Sequence, residues 1–241
     1  MRAGWLIIAS AALLASCVET GQSYLDVPVR GAGVSEPSFE QDGWTIELAR
    51  ADVAIGPLYL CATESASPEH CESAVLELTE AVTIDAIDPA AQELATALGV
   101  TGTVRSAMWD YGVPWLATQP RARALPGAVD GERSASFEAR VTHEDGRTFD
   151  VRADLEIAPS ARGVVVVRGQ RVREHAIASD DTLVVRVDPI AWWRRVDVER
   201  LAARAAAGED PVVLAPGDAD YQALVVAMTA GVLPALEWDL P

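Results

Sequence analysis

Phe149, Val151, Ala153, Leu155 and Ile157 alternate with Asp150, Arg152, Asp154 and Glu156. A two-residue period places all five apolar side chains on one face of an extended chain, so this segment is a half-buried strand. Trp44, Ile46 and Leu48 alternate with Thr45 and Glu47 in the same way, and shorter runs recur at 58–60, 76–84, 103–111, 137–143, 164–167, 183–187 and 212–214. Many short strands separated by Gly and Pro predict a mainly β domain, an antiparallel β-sandwich or a barrel-like sheet. Half of the residues are hydrophobic, enough for residues 39–241 to bury a full core as a single domain. No internal repeat is visible, and the Pro- and Arg-containing stretch 119–132 reads as a long surface loop.

Between the strands at 137–143 and 149–157, Asp145-Gly146 invites a two-residue turn. That turn would set Val141 opposite Asp150, so a three- or five-residue loop that pairs Val141 with Val151 and Phe137 with Leu155 is expected instead. Two to four short helices are expected, the best supported near the C-terminus. Asp188 before Pro189 is a cap followed by a residue preset for the first turn, and Asp197 starts a second helix. Tyr221, Leu224, Val225 and Met228 mark a third, capped by Asp218 or Asp220. Residues 89–98, stopped by Gly99, are a candidate fourth. Trp192 and Trp193 fall on different faces of their helix, so at most one is expected to be fully buried.

The N-terminus carries Arg2, an apolar stretch from Trp5 to Leu14, and then Leu14-Ala15-Ser16-Cys17. This is the three-part layout of an export signal, and its core is too short for the roughly 20 apolar residues of a spanning helix. Leu14 to Cys17 resembles the lipobox of bacterial lipoproteins. The resemblance covers the leader alone. It implies that residues 1–16 are removed as a signal peptide and that Cys17 is lipidated, each buried methylene adding about 0.8 kcal/mol to membrane attachment. In that class an Asp after the cysteine favours inner-membrane retention. Val18 stands there instead, which implies the outer membrane, on its periplasmic or surface face. Residues 17–38, rich in Gly, Pro, Ser and Glu, read as a flexible tether. The layout after it, with Trp44 opening the first strand and Trp238 closing the last, is similar to that of other exported lipoproteins without an assigned role.

The formal charge is −17, which disfavours nucleic acid and anionic surfaces as partners. All 19 basic residues are Arg. The absence of lysine removes the phosphate-cradling G-x-x-x-x-G-K-[ST] loop, Schiff-base chemistry and the S-x-x-K nucleophile. There is also no G-x-S-x-G and no H-E-x-x-H.

Cys61 and Cys71 are the remaining cysteines, and in an oxidising compartment they are expected to pair. The competing reading is a metal site from Cys61, His70 and Cys71 with Glu69 or Glu72, against which stand the adjacency of His70 to Cys71 and the missing C-x-x-C spacing. His143 and His175 have no nucleophile partner in sequence and read as structural. Asp154 and Glu156 would stand about 7 Å apart on one strand face, a glycosidase-like separation, but with Asp150 and Arg152 they form the polar side of an amphipathic strand, which explains them better. Asp180-Asp181 and Asp218-Ala219-Asp220 do not fit a calcium loop; turn and cap roles suffice.

Trp109, Asp110, Tyr111 and Trp115 form the densest aromatic run. Flat rings beside a carboxylate suit a sugar-binding surface, and the same rings suit a sandwich core. With no cofactor or catalytic group indicated, the expectation is a non-enzymatic, lipid-anchored binding or structural module of the cell envelope. Its partners would be the membrane through Cys17 and an envelope protein or glycan. The alternative is a carbohydrate- or metal-binding module using the 109–115 segment or Cys61, His70 and Cys71.

Overall fold

The computed structural model describes residues 22–64, 71 and 74–239. Cys17 therefore lies outside the described residues, as do Glu69, His70 and Glu72. The chain forms a mainly β domain built from two sheets around one core.

The larger sheet has eight strands. Along the chain these are β1 (Tyr24–Ala32), β4 (Leu58–Cys61), β5 (Ala74–Leu78), β7 (Gln92–Val100), β8 (Thr103–Trp109), β11 (Val167–Ala176), β12 (Thr182–Arg186) and β14 (Ala235–Asp239). Their spatial order is β11-β8-β4-β5-β7-β1-β12-β14. Pairing is antiparallel except between β1 and β12. The sheet curls into a nearly closed barrel whose two outer strands meet through side chains: the His175 ring of β11 stacks on the Trp238 indole of β14, centroids 4.5 Å apart and planes 22° apart.

The second sheet is ordered β13-β10-β9-β3-β2, from β13 (Val212–Leu214), β10 (Thr148–Leu155), β9 (Ala135–His143), β3 (Trp44–Ile55) and β2 (Ser38–Gln41). A further strand, β6 (Val82–Asp85), pairs with β3. The alternation read from the sequence points inward: Phe149, Val151, Ala153 and Leu155 of β10 and Trp44, Ile46 and Leu48 of β3 are buried in the core shared by both sheets. The β9–β10 hairpin has a three-residue loop, with His143 N–H donating to the Arg147 carbonyl. Its register sets Val141 against Phe149 and Phe137 against Ala153. The faces are those expected and the partners are shifted by two residues, which preserves the side each residue faces.

Three short helices lie towards the C-terminus. In α1 (Pro189–Trp193) the Asp188 carboxylate accepts from the Ala191 N–H at 3.1 Å, and in α2 (Val198–Ala206) Asp197 accepts from Arg200 N–H at 3.1 Å. Asp218 precedes α3 (Ala219–Val226), but its side chain turns back to the Ala215 N–H and to Arg204. A π-helical turn (Ala227–Gly231) follows.

Three expectations are corrected. First, the stretch read as a tether is strand β1 from Tyr24 onward, held between β7 and β12. Leu25, Val27 and Val29 carry a two-residue apolar period into the core. Pro28 is tolerated because β12 joins only from Val29, so the missing N–H forfeits no bond on that side. Second, residues 92–100 form β7 rather than a helix, since ladders with β1 and β5 outweigh local helix preference. Gly99 lies against β5, where a Cβ would come within 2.1 Å of the Val75 carbonyl oxygen. Third, Trp192 and Trp193 are both buried. Each ring stands edge-on to Phe137, at 6.3 and 6.1 Å, and the Trp192 indole N–H donates to the Val232 carbonyl after the π-helical turn.

Candidate functional site

The two ends of β8 lie in different surroundings. At Thr103 the strand follows the turn that carries Thr101. There the Gln22 side-chain amide donates to the Thr101 carbonyl, and Ser23 N–H donates to the Thr101 hydroxyl. The first described residues are thus tied to the β7–β8 turn. At Trp109 the strand reaches the other end, about 20 Å away for a seven-residue strand, and pairs with Leu58 and Val167.

The aromatic run begins at this second end and is largely internal. Trp109 and Tyr111 are 1% and 0% exposed and Asp110 is 2% exposed, so these three side chains offer no face to a sugar, which corrects their reading as ligand-binding residues. Their contacts are structural. The Tyr111 hydroxyl donates to the Met228 carbonyl in the π-helical turn, and Asp110 accepts from Val166 N–H at 2.8 Å. Burial raises the Asp110 pKa to about 7, against which the Val166 hydrogen bond works. Burial also drives the Tyr111 phenol well above its ordinary value. Trp115 is half-buried and donates from its indole N–H to the Gln119 carbonyl, while its own carbonyl accepts from Gly163 N–H.

The run therefore braces the long loop that follows it. Gly112, at φ +76°, turns the chain where a Cβ would meet the Ala54 and Ala128 side chains at 2.8 and 3.1 Å. The loop then returns on itself through Arg123 N–H to the Pro114 carbonyl and Leu125 N–H to the Gly112 carbonyl. Gly127 presses against the Ala81 carbonyl and accepts from the Thr83 hydroxyl at 2.9 Å.

Between this braced loop, the end of β10 and the start of α3 lies a cleft of about 610 Å³. Arg121 and Arg123 line one side; Arg133, Asp154, Glu156 and Tyr221 are among the other lining residues. Arg133 is committed, reaching Asp130 at 3.2 Å and Asp154 at 3.4 Å. Asp154 also accepts from the Ser136 hydroxyl at 2.8 Å and from Arg152 at 3.1 Å. The Tyr221 hydroxyl is held by the Glu156 N–H at 3.0 Å. The Arg121 and Arg123 side chains are exposed and have no hydrogen-bond or ion-pair partner among the described residues. Asp154 and Glu156 were singled out in the sequence as a carboxylate pair, whereas Arg121, Arg123 and Tyr221 were not singled out as site residues.

A second hollow, of about 490 Å³, lies on the second sheet beside Arg140, Asp150 and Arg152. Its arginines are engaged, Arg140 with Asp150 at 2.9 Å and Arg152 with Asp154 at 3.1 Å.

Cys61 and Cys71 are joined by a disulfide, Cα atoms 5.9 Å apart. Both sulfurs are thereby taken, which removes the metal-site reading built on them. No group of three or more His, Cys, Asp or Glu side chains is placed to hold a metal among the described residues. His143 packs on Trp44 at 4.6 Å and faces Asp145 at 2.9 Å. His175 pairs with buried Asp181 at 2.7 Å beneath its stack on Trp238. Asp220 accepts from Asp197 N–H and pairs with Arg200 at 3.0 Å.

Comparison of the chain with protein-family models, with curated proteins and with solved structures finds no match.

Proposed function

We propose that this protein is a non-enzymatic carbohydrate-binding module of the bacterial cell envelope, attached to the outer membrane by lipid on Cys17 and presenting its binding cleft on the side away from the membrane. The observation that carries this reading is the placement of the two ends of β8. Gln22, five residues after Cys17, is tied to the β7–β8 turn, while the cleft lies beyond the opposite end, beside the loop that follows Trp109. So short a span of chain, at most about 3.6 Å per residue, would keep the first end near the lipid and turn the other outward. A cleft lined by guanidinium and carboxylate groups provides both donors and acceptors for a hydroxyl-rich ligand.

The test has two arms. Expressed with its leader in a bacterial host, the protein is expected in the membrane fraction with a lipidated Cys17 at its N-terminus. Cys17→Ser is expected to leave that fraction or stall as a precursor while its body unfolds at the same temperature. A Cys17→Ser protein that stays as membrane-bound as the parent would overturn the anchor. In the second arm, the full-length protein in detergent micelles is titrated with envelope polysaccharides, and no binding across the panel would overturn the carbohydrate reading.

A further inference from the structure

We infer that the distal cleft selects an acidic sugar, whose carboxylate is held by Arg121 and Arg123 while its hydroxyls are taken by the carboxylates nearby. This rests on the carbohydrate reading above and names its ligand class.

The chain has 36 acidic residues and 19 arginines; eleven of the described arginines hold a carboxylate, and Arg162, Arg173, Arg194 and Arg195, which hold none, do not line the cleft. Arg30, Arg50, Arg105, Arg140, Arg147, Arg186 and Arg204 each hold one. Arg121 and Arg123 hold none, although Glu132, Asp154 and Glu156 line the same cleft. Arg133 and Arg152 already take Asp154, and Arg133 also reaches Glu132 at 3.5 Å. Two arginines whose side chains have no carboxylate partner therefore line one concavity. A guanidinium presents its N–H groups in a planar fork that matches a carboxylate in a bidentate pair.

The acids on the same cleft decide which anion fits. Three arginines and three carboxylates make its formal charge close to neutral, so a doubly charged phosphate would meet Glu132, Asp154 and Glu156 at short range. A ligand with one carboxylate meets only the two free arginines, and its hydroxyls can donate to carboxylate oxygens. Pro216 and the buried Tyr221 ring provide a small apolar wall. A volume of about 610 Å³ falls within the range of small-ligand clefts and accommodates one or two sugar rings. The loop bearing the arginines is held by the backbone bonds of Arg123 and Leu125 to the 112–114 segment, so the site needs little ordering on binding.

Ligand-detected NMR titration of the full-length protein in micelles tests this with glucuronate, galacturonate and N-acetylmuramate, each against its uncharged parent sugar, and with inorganic phosphate. At least one sugar acid is expected to bind at least tenfold more tightly than its neutral parent and than phosphate. Arg121→Gln/Arg123→Gln is expected to weaken it at least tenfold, with Arg162→Gln, an exposed arginine on another loop, unchanged. Both arginines are exposed, so the double variant should keep the parent's thermal midpoint. Tighter phosphate binding, or a double variant that binds the sugar acid like the parent, would overturn the assignment. Equal binding of a neutral sugar would overturn the carboxylate grip while leaving the carbohydrate reading standing. No binding by any sugar acid would overturn the assignment, and the polysaccharide panel would then decide whether the carbohydrate reading falls with it.

Discussion

The Tyr111 hydroxyl donates to the Met228 carbonyl at 2.5 Å with both residues buried, joining the end of the barrel strand β8 to the π-helical turn. A backbone carbonyl left without a donor at such depth loses its hydrogen bond and gains no water in exchange. Tyr111→Phe keeps the ring and removes the donor. It is expected to lower unfolding free energy by about 1–3 kcal/mol, read from urea melts with an unchanged slope. A variant as stable as the parent would show that the contact contributes nothing net.

Asp110 is expected to give the domain an unusual pH dependence. Its folded pKa, raised to about 7 by burial, lies above its ordinary value of 3.8. Between these values the folded state holds a proton that the unfolded state has released, so stability falls as pH rises from about 4 to about 7 and levels off above that. Asp110→Asn keeps an acceptor for the Val166 N–H and cannot ionise. Its stability is expected to flatten across that window and to exceed the parent's at pH 8, by up to a few kcal/mol at about 1.4 per pKa unit. Parallel pH profiles for variant and parent would contradict this.

The disulfide closes the connection between β4 and β5 with a sequence separation of 10. The loop-entropy relation assigns such a short ring roughly 3 kcal/mol. Cys61→Ser/Cys71→Ser is expected to lose up to that amount in chemical denaturation and to keep its far-UV circular dichroism, since Leu58 and Leu60 remain paired in the ladder with β5. The intact mass of the parent should rise by two hydrogens on reduction.

The barrel seam rests on His175, Trp238 and Asp181 rather than on a ladder between β11 and β14. Removing the indole should loosen the seam and leave the second sheet intact. Trp238→Ala is expected to cost about 0.5–1.5 kcal/mol for the stack and to speed amide exchange in residues 167–176 and 235–239 first. Uniform acceleration, including residues 135–155, would show instead that the seam opens only with global unfolding.

Local order was legible wherever it depended on neighbours in the chain. The periods of Phe149 to Leu155 and Trp44 to Leu48 gave their strands and inward faces, and Asp188 and Asp197 cap the helices they were read to start. β1 was hidden although Leu25, Val27 and Val29 carried the same period, because Gly, Pro and Ser around them have low intrinsic strand preference. Ladders to β7 and β12 supply what that composition withholds.

By itself the sequence determined a β domain, its alternating faces, two capped helices and the cysteines available to pair, since each follows from spacing over a few residues. Only the tertiary structure decided that Trp109, Asp110 and Tyr111 are internal, and that Arg121 and Arg123 meet Asp154, Glu156 and Tyr221 around one cleft. Those groups lie some thirty to a hundred residues apart in the chain. What brings them together is the pairing and packing of strands distant in sequence, for which a single sequence carries no local signal.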